Sequence, residues 1–345
     1  MDAIDDSEIA ERIVDELARP DGSPALRPVH SIGIGAVGYF NPSRVAQDYC
    51  TAAHFKRHSE TKVSLRFSNG SGSATVRDGW SDVRGLAVRF HLPDKTDTDL
   101  VAMTLPEFFT PTPETFLDFT IRAKPKPVVW QSPWRKILDM LRLIPPAPDP
   151  YPGEKISPNM GAIAYANEHK SAQLSTFEAA SIGAPTSYAR AAYHAVHTFF
   201  VTGTDGTRRP VRFSWQPIAG VKRTDPTKPP RDRYLQDELR QRLENEPARF
   251  SLMMMIGENG DAFEDSTKPW PPHRIRVMMG TLTITGVPKD QETFGERISF
   301  NPWLLTKGIE PSGDPVLHLR RHAYNYSSKK RGGIACPFTK GHMDD

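Results

Sequence analysis

Proline decides much of what this chain can become. Thirty-two of its 345 residues are proline. Each removes a backbone donor and steers the residue before it away from the helical conformation. Spread along the chain, they argue against a helical bundle and for short elements joined by ordered loops. Between them lie runs rich in β-branched and aromatic residues: 62 to 68, 84 to 91, Tyr193 to Val201, Val211 to Trp215, Arg249 to Ile256 and Ile275 to Thr285. Each reads as a strand, and Asp205-Gly206 as a turn between two of them. Helical patterning is confined to a few places. A helix over 6 to 19 is capped by Asp6 or Ser7, carries Ile9, Ile13 and Leu17 on one face and ends at Pro20. A second spans 43 to 57 from Ser43, a third spans 233 to 246 with Leu235, Leu239 and Leu243 in one stripe, and the last spans 315 to 330. The stretch from 110 to 145 is helical in pieces, broken by Pro111, Pro113, Pro125, Pro127 and Pro133, and Pro145 to Pro152 is loop. Strands with irregular helices and no βαβ alternation predict an α+β fold with an antiparallel sheet.

Composition removes several function classes. The apolar fraction of 38% is enough for a core at this length. A net charge of +3 is too small to make nucleic acid or an anionic membrane the main partner. Two cysteines, Cys50 and Cys336, give neither a disulfide framework nor metal-thiolate spacing, and suit a reducing compartment. The acidic start, Met1 to Asp6, lacks the features of a signal peptide. No stretch is long and apolar enough to span a bilayer. These readings predict a soluble cytoplasmic protein.

The chemistry-bearing segment is Arg320-Arg321-His322-Ala323-Tyr324. At helical spacing, Arg320 and Tyr324 share a face. A cation beside a phenol favours the phenolate, a hard anionic ligand for ferric iron. Alone, the pair also fits a solvated arginine beside a half-buried tyrosine. Near the N-terminus, Arg27-Pro28-Val29-His30 precedes a glycine-rich run from Gly33 to Phe40. Leu65 to Ser68, Asp82 to Phe90, Asp99-Leu100-Val101, Pro106 to Phe109 with Phe116, and Gly308 to Ser312 follow in order. These segments, with Arg320, Tyr324 and Arg331, resemble the haem catalases in order and spacing from about residue 20 to 335, and the chain is identified as a member of that superfamily, of the short catalase-related peroxidase type.

The resemblance implies an eight-stranded antiparallel β-barrel with surrounding helices, a reduced N-terminal arm and no full C-terminal helical domain. It implies a single haem domain over 1–345. Residues 1–20 form the N-terminal helix, 21–300 the barrel with inserted helices, and 301–345 a wrapping segment with the proximal haem helix. His30 would be the distal acid–base, since a neutral imidazole can take a peroxide proton and return it to the departing oxygen. Tyr324, held by Arg320, would ligate the iron of haem b as tyrosinate, the axial ligand of catalases. Tyr326 lacks an arginine four residues upstream. Arg27, Arg66 and Arg331 would meet the propionates, where a planar guanidinium suits a carboxylate. Phe116 would stack on the distal haem face, Val29 would form a pocket wall and Ser68 would bond the distal histidine. The glycines after His30 would let backbone lie close to the porphyrin.

One departure bears on activity. Ungapped counting places Met103 where catalases carry a distal asparagine. A thioether cannot donate a hydrogen bond to peroxide, although the adjacent Thr104 offers a hydroxyl. The expected function is therefore a peroxidase that reduces organic hydroperoxides and hydrogen peroxide with a small-molecule donor, through a ferryl intermediate and with weak catalase activity. A true catalase, a fatty-acid hydroperoxide isomerase and a non-catalytic haem carrier are the competing readings. A homo-oligomer, dimer or tetramer, is expected, and no nicotinamide site is predicted. His194 and His197 form an H-x-x-H pair, but residues three apart on a strand face opposite ways, so both read as core or sheet histidines. Met253 to Met255 and Met278-Met279 read as core filling or a lining near a reactive oxidant.

Overall fold

A computed structural model describes residues 5–17, 27–72, 77–93, 96–122, 133–144, 161–225, 228 and 230–332. The expected end of the first helix at Pro20, the breaks at Pro125 and Pro127, the loop from Pro145 to Pro152, and Cys336 lie outside these residues. The strands are β1 (Gly33–Pro42), β2 (Thr61–Asn69), β3 (Arg84–Phe90), β4 (Thr98–Met103), β5 (Tyr193–Thr202), β6 (Arg208–Pro217), β7 (Ala248–Ile256), β8 (Arg276–Gly286) and β9 (Ile309–Pro311). All pairings are antiparallel. They run β4-β3-β2-β1-β8-β7-β6-β5, and Met103 of β4 pairs with His194 of β5 to close an eight-stranded barrel. Short β9 adds to β5 at its far end.

Alternation on each strand fills the barrel. Phe40, Leu65, Phe67, Val88, Phe90, Trp215, Phe250 and Leu282 are almost wholly buried inside it. Met254 and Met279 join this core as filling, whereas Met278 is exposed. The outward residues of β2, Arg66 and Ser68, are also buried, so a second layer covers that wall. Part of that layer is a π-helical turn, Glu292–Arg297, laid against β1.

The helices are α1 (Asp6–Leu17), α2 (Ala46–Tyr49), α3 (Pro113–Arg122), α4 (Pro133–Met140), α5 (Ala162–Glu168), α6 (Lys170–Ser181), α7 (Tyr234–Asn245) and α8 (Pro315–Lys330). Helix α1 packs on α8 through Ile9, Ala10, Ile13 and Leu319. Its first turn hangs on the Asp5 carbonyl, which accepts from Ile9, one residue before the expected caps. The helix expected over 43 to 57 is broken. Cys50 turns extended, Thr51 donates its amide to Thr202 of β5, and only α2 and a short 3-10 turn at Ala53–Phe55 remain. Burial of Ala46, Cys50, Ala52 and Phe55 against the barrel outweighs helical continuity.

Candidate functional site

Helix α8 begins with Asp314, whose Oδ1 accepts from the amides of Val316 (2.9 Å) and Leu317 (3.3 Å). Two turns on, Arg320 Nη2 donates to Tyr324 Oη at 2.6 Å, with the guanidinium carbon 5.1 Å from the ring centre. Arg320 Nη1 lies 2.9 Å from His197 Nε2. Arginine has no acceptor, so Nε2 accepts and the His197 proton sits on Nδ1. That nitrogen donates to Asp314 Oδ2 at 2.7 Å. Burial first, and the Arg320 cation with it, lower His197 below its ordinary value against the pull of Asp314, which keeps the ring neutral. Burial raises Asp314, but His197 and the capping amides prevail and its carboxyl stays below the usual range. The result is a relay, Asp314–His197–Arg320–Tyr324, buried at its first two members and half-buried at the last two, that fixes the guanidinium against the phenol. Tyr326 turns instead toward Asp15 of α1.

His197 reaches this relay because β5 is irregular. Ala195 faces Phe213 and Phe199 faces Val211, so Val196, His197 and Thr198 share the space opposite Arg212 alone. The bulge takes His197 out of simple alternation and toward α8. His194 and His197 therefore do not converge, and among the described residues no group of three or more His, Cys, Asp or Glu could hold a metal.

His30 sits at the mouth of β1 with φ of 56°, and its amide donates to the Gly70 carbonyl at 3.0 Å. Its Nδ1 is 2.9 Å from Ser68 Oγ. Gly85 of β3 makes room for this pair: a Cβ there would come within 2.7 Å of Ser68 Oγ and 2.9 Å of His30 Nδ1. Burial and the cations of Arg66, Arg320 and Arg27 push His30 down to about 3. Met103 pairs with Gly85 across the β3–β4 ladder and packs with Phe108, Val196 and Phe116. Phe116 lies edge-on to Phe108 at 5.1 Å and also touches the α1–α8 pair. Thr104 Oγ1 accepts from the Arg84 amide at 3.0 Å, which fixes the oxygen and leaves its O–H able to donate. Half-buried Val29 follows Pro28, whose carbonyl lies over Gly72.

Arg27, Arg66 and Arg331 meet at the π turn. Arg27 Nη1 donates to Gly295 O (3.0 Å) and Arg66 Nε to the same oxygen (2.7 Å). Arg331 donates to Glu296 O (2.9 Å). The Glu296 carboxylate stands 3.4 Å from both Arg27 and Arg66. Arg66 Nη1 also donates to the His30 carbonyl at 2.8 Å, which ties this cluster to His30. Burial, then the mutual repulsion of the three cations, lowers Arg27 well below its ordinary value and Arg331 to about 10. Two of the glycines after His30 also make room within the protein. A Cβ on Gly33 would strike Arg66 Cζ at 2.4 Å, and one on Gly35 the Phe294 carbonyl at 2.4 Å. These glycines admit the protein's own Arg66 and π turn.

Nine of the eleven residues singled out in the sequence fall into three groups on the barrel wall, α3 and α8, while Thr104 bonds the Arg84 amide and Val29 lies by Gly72. Sequence reasoning missed His197, Asp314, Gly85 and Glu296. Asp314 carried a usable signal, an Asp-Pro pair opening an apolar run. His197 carried none, because a bulge brings it into place.

The catalase family model matches residues 22–147 and 152–337. A catalase-related peroxidase of Mycolicibacterium paratuberculosis is 33% identical over 317 residues, covering 90% of each chain. One from Synechococcus elongatus is 30% identical over 308 residues, covering 88% of this chain and 83% of that protein. A fungal catalase crystal structure superposes with a TM-score of 0.72 at 22% identity, covering 89% of this chain and 59% of its own, so the chain spans well under two thirds of that molecule.

Proposed function

The chain belongs to the catalase family and acts on peroxide as an oxidoreductase, and we propose that it is a haem-dependent peroxidase that reduces organic hydroperoxides, and hydrogen peroxide, with an external donor and weak catalase activity. We assign the whole chain to one haem domain. The observation that carries the choice of peroxidase is Met103, set among Phe108, Val196 and Phe116 beside the His30 pocket.

The residues present fit haem b. Arg331 Nε is buried and finds no hydrogen-bond partner among the described residues. Three crowded cations face a single carboxylate, a setting that favours a dianion such as a pair of propionates. The relay from Asp314 holds the Arg320 guanidinium on Tyr324 Oη, the oxygen that would meet the iron. Tyr324 would hold the iron, Arg27, Arg66 and Arg331 the propionates, and Phe116 and Val29 the distal walls. When bound, haem supplies the Lewis acid and the store of electrons for O–O cleavage.

The chain's own residues supply the proton movement. With Ser68 on Nδ1, the free nitrogen of His30 is Nε2. An imidazole lowered to about 3 stays neutral at working pH, and its conjugate acid gives a proton back readily. His30 Nε2 takes the proton from the near peroxide oxygen and returns it to the departing one, and its low pKa favours the return more than the uptake. Met103 offers no donor to orient a second hydrogen peroxide. Thr104 Oγ1 accepts from the Arg84 amide and keeps its own O–H as the nearby donor. The apolar setting of Met103 favours a hydrocarbon-bearing substrate.

The test is to assay haem-loaded protein with cumene hydroperoxide plus a phenolic donor, against oxygen release from hydrogen peroxide. Substantial donor oxidation with slow oxygen release is expected, and Met103→Asn should raise oxygen release by roughly tenfold or more. Rapid oxygen release by the wild type, unchanged in the variant, would contradict the reading.

A further inference from the structure

Helix α4 runs on into a turn at Leu141, whose amide donates to the Ile137 carbonyl at 2.9 Å. Arg142 then takes the left-handed conformation, with φ of 55°, and Leu143 donates to the Leu138 carbonyl at 2.9 Å, which ends the helix. Trp134, Ile137, Leu138 and Leu141 recur at i, i+3, i+4 and i+7, the spacing of one helical face. In a folded domain such a face is usually the buried one. Here Trp134 is 75% exposed, Leu143 67% and Leu141 57%, and Ile137 and Leu138 are exposed with them. None of the five belongs to a buried apolar cluster among the described residues. Single exposed leucines need no explanation, but an apolar stripe on one helix marks a contact surface.

The charge of the same stretch bears on what it meets. Residues 123–160 hold Lys124, Lys126, Arg135, Lys136, Arg142 and Lys155 against Asp139, Asp149 and Glu154. That excess of three equals the net charge of the whole chain, so the remaining residues are neutral in sum. It is densest over 123–144, where Asp139 is the single acid among five basic residues. Widening the span to 118–178 adds Arg122 and Lys170 against Asp118, Glu168 and Glu178, and the balance stays positive by two. Arg122 is itself engaged by Asp118 and Glu168. A second copy of this chain is a poor match, because a two-fold contact would lay the basic stretch against its own image. A bilayer with anionic lipid fits both features. It takes tryptophan and leucine into the boundary between head groups and acyl chains, and its negative surface attracts lysine and arginine. The low overall charge does not oppose this, since the attraction acts only within about a Debye length of the surface.

We propose that α4 is a peripheral anchor that lays the protein on an anionic lipid bilayer, with Trp134, Ile137, Leu138 and Leu141 entering the interface and Arg142 at its rim. The helix lies along the membrane, and no helix among the described residues is long and apolar enough to cross one. One short helix with a basic flank gives reversible attachment. The inference goes beyond the peroxidase reading and does not depend on it.

Flotation of the haem-loaded protein with lipid vesicles tests this directly. The wild type should float with phosphatidylcholine vesicles that contain about one third phosphatidylglycerol, and bind pure phosphatidylcholine at least about tenfold more weakly. Trp134→Ser combined with Leu138→Ser should weaken binding to the anionic vesicles by at least about tenfold. Arg142→Gln should weaken it by about fivefold, and added salt should reduce the difference between that variant and the wild type. Both variants should turn over cumene hydroperoxide in free solution as the wild type does. Failure of the wild type to float with anionic vesicles overturns the proposal, as does equal binding to both kinds of vesicle. Wild-type binding by the Trp134→Ser, Leu138→Ser protein would show that another surface meets the lipid. A wild-type dimer in sedimentation velocity that the same double variant abolishes, with no vesicle binding, would assign the stripe to a second copy instead.

Discussion

Single residues carry the chemistry, and the ones that matter most differ in how they announce themselves. His30, Arg320 and Tyr324 were legible because their spacing is local: a histidine ahead of a glycine run and an Arg–Tyr pair one helical turn apart. His197 was not legible, because the bulge in β5 and the position of α8 bring it to Arg320 from 123 positions away in the chain. Gly85 was hidden for a different reason. Its purpose is the room it leaves, and only the placement of His30 and Ser68 shows what fills it. Gly85→Ala should therefore displace the imidazole. We expect hydroperoxide turnover to fall by about tenfold to a hundredfold, with haem content and melting temperature close to wild type. Turnover within twofold of wild type would show that His30 has room to shift without loss.

At the scale of elements, strands were read well where alternation was strong, as in β2, β3 and β5 to β8, and the bounds of α8 were read as they stand. Helix 43 to 57 failed because its apolar residues answer to the barrel and to Thr202, neither of which local patterning contains. Asp314 does two jobs for α8. It caps the first turn and accepts from His197, so Asp314→Ala loses a cap and leaves a buried N–H without its acceptor. The cost should be about 2–4 kcal/mol of stability. Asp314→Asn keeps a capping oxygen and should recover part of it. Chemical denaturation of the three proteins decides this, and equal midpoints would show that the relay does not brace the helix. Helix α1 supports α8 from the other side through Ile13 and Leu319, at 1% and 0% exposure. Ile13→Ala should cost about 2–4 kcal/mol by opening a cavity there.

At the scale of the whole molecule, the closed barrel was expected from the family resemblance, while the antiparallel sheet alone was visible in the residues. The pairing of Met103 with His194 that closes it is set by the ends of β4 and β5, and strand ends are poorly marked in sequence. The interior sets how the protein answers acid. An unfolded histidine titrates near 6.5, but burial alone pushes His54, 2% exposed, to about 3. Between those values the unfolded chain binds a proton that the folded chain refuses. Stability from this site is thus full above about pH 6.5 and is lost as pH falls toward 3. His194, lowered to about 4, acts in the same direction. Glu107, raised to about 7 by burial and then by Glu178, acts in the opposite one, adding stability as pH falls from 7 toward 4.5. At pH 5 the His54 loss is about 2 kcal/mol. The stability difference between pH 7 and pH 5 should shrink by that amount in His54→Leu, and an unchanged difference would contradict the account. The central claim, that Tyr324 holds haem iron opposite His30, is tested most directly by resonance Raman spectroscopy of haem-loaded wild type and Tyr324→Phe. Tyrosinate ring modes enhanced in the wild type and lost in the variant are predicted, and their absence from the wild type, or their persistence in Tyr324→Phe, would contradict it.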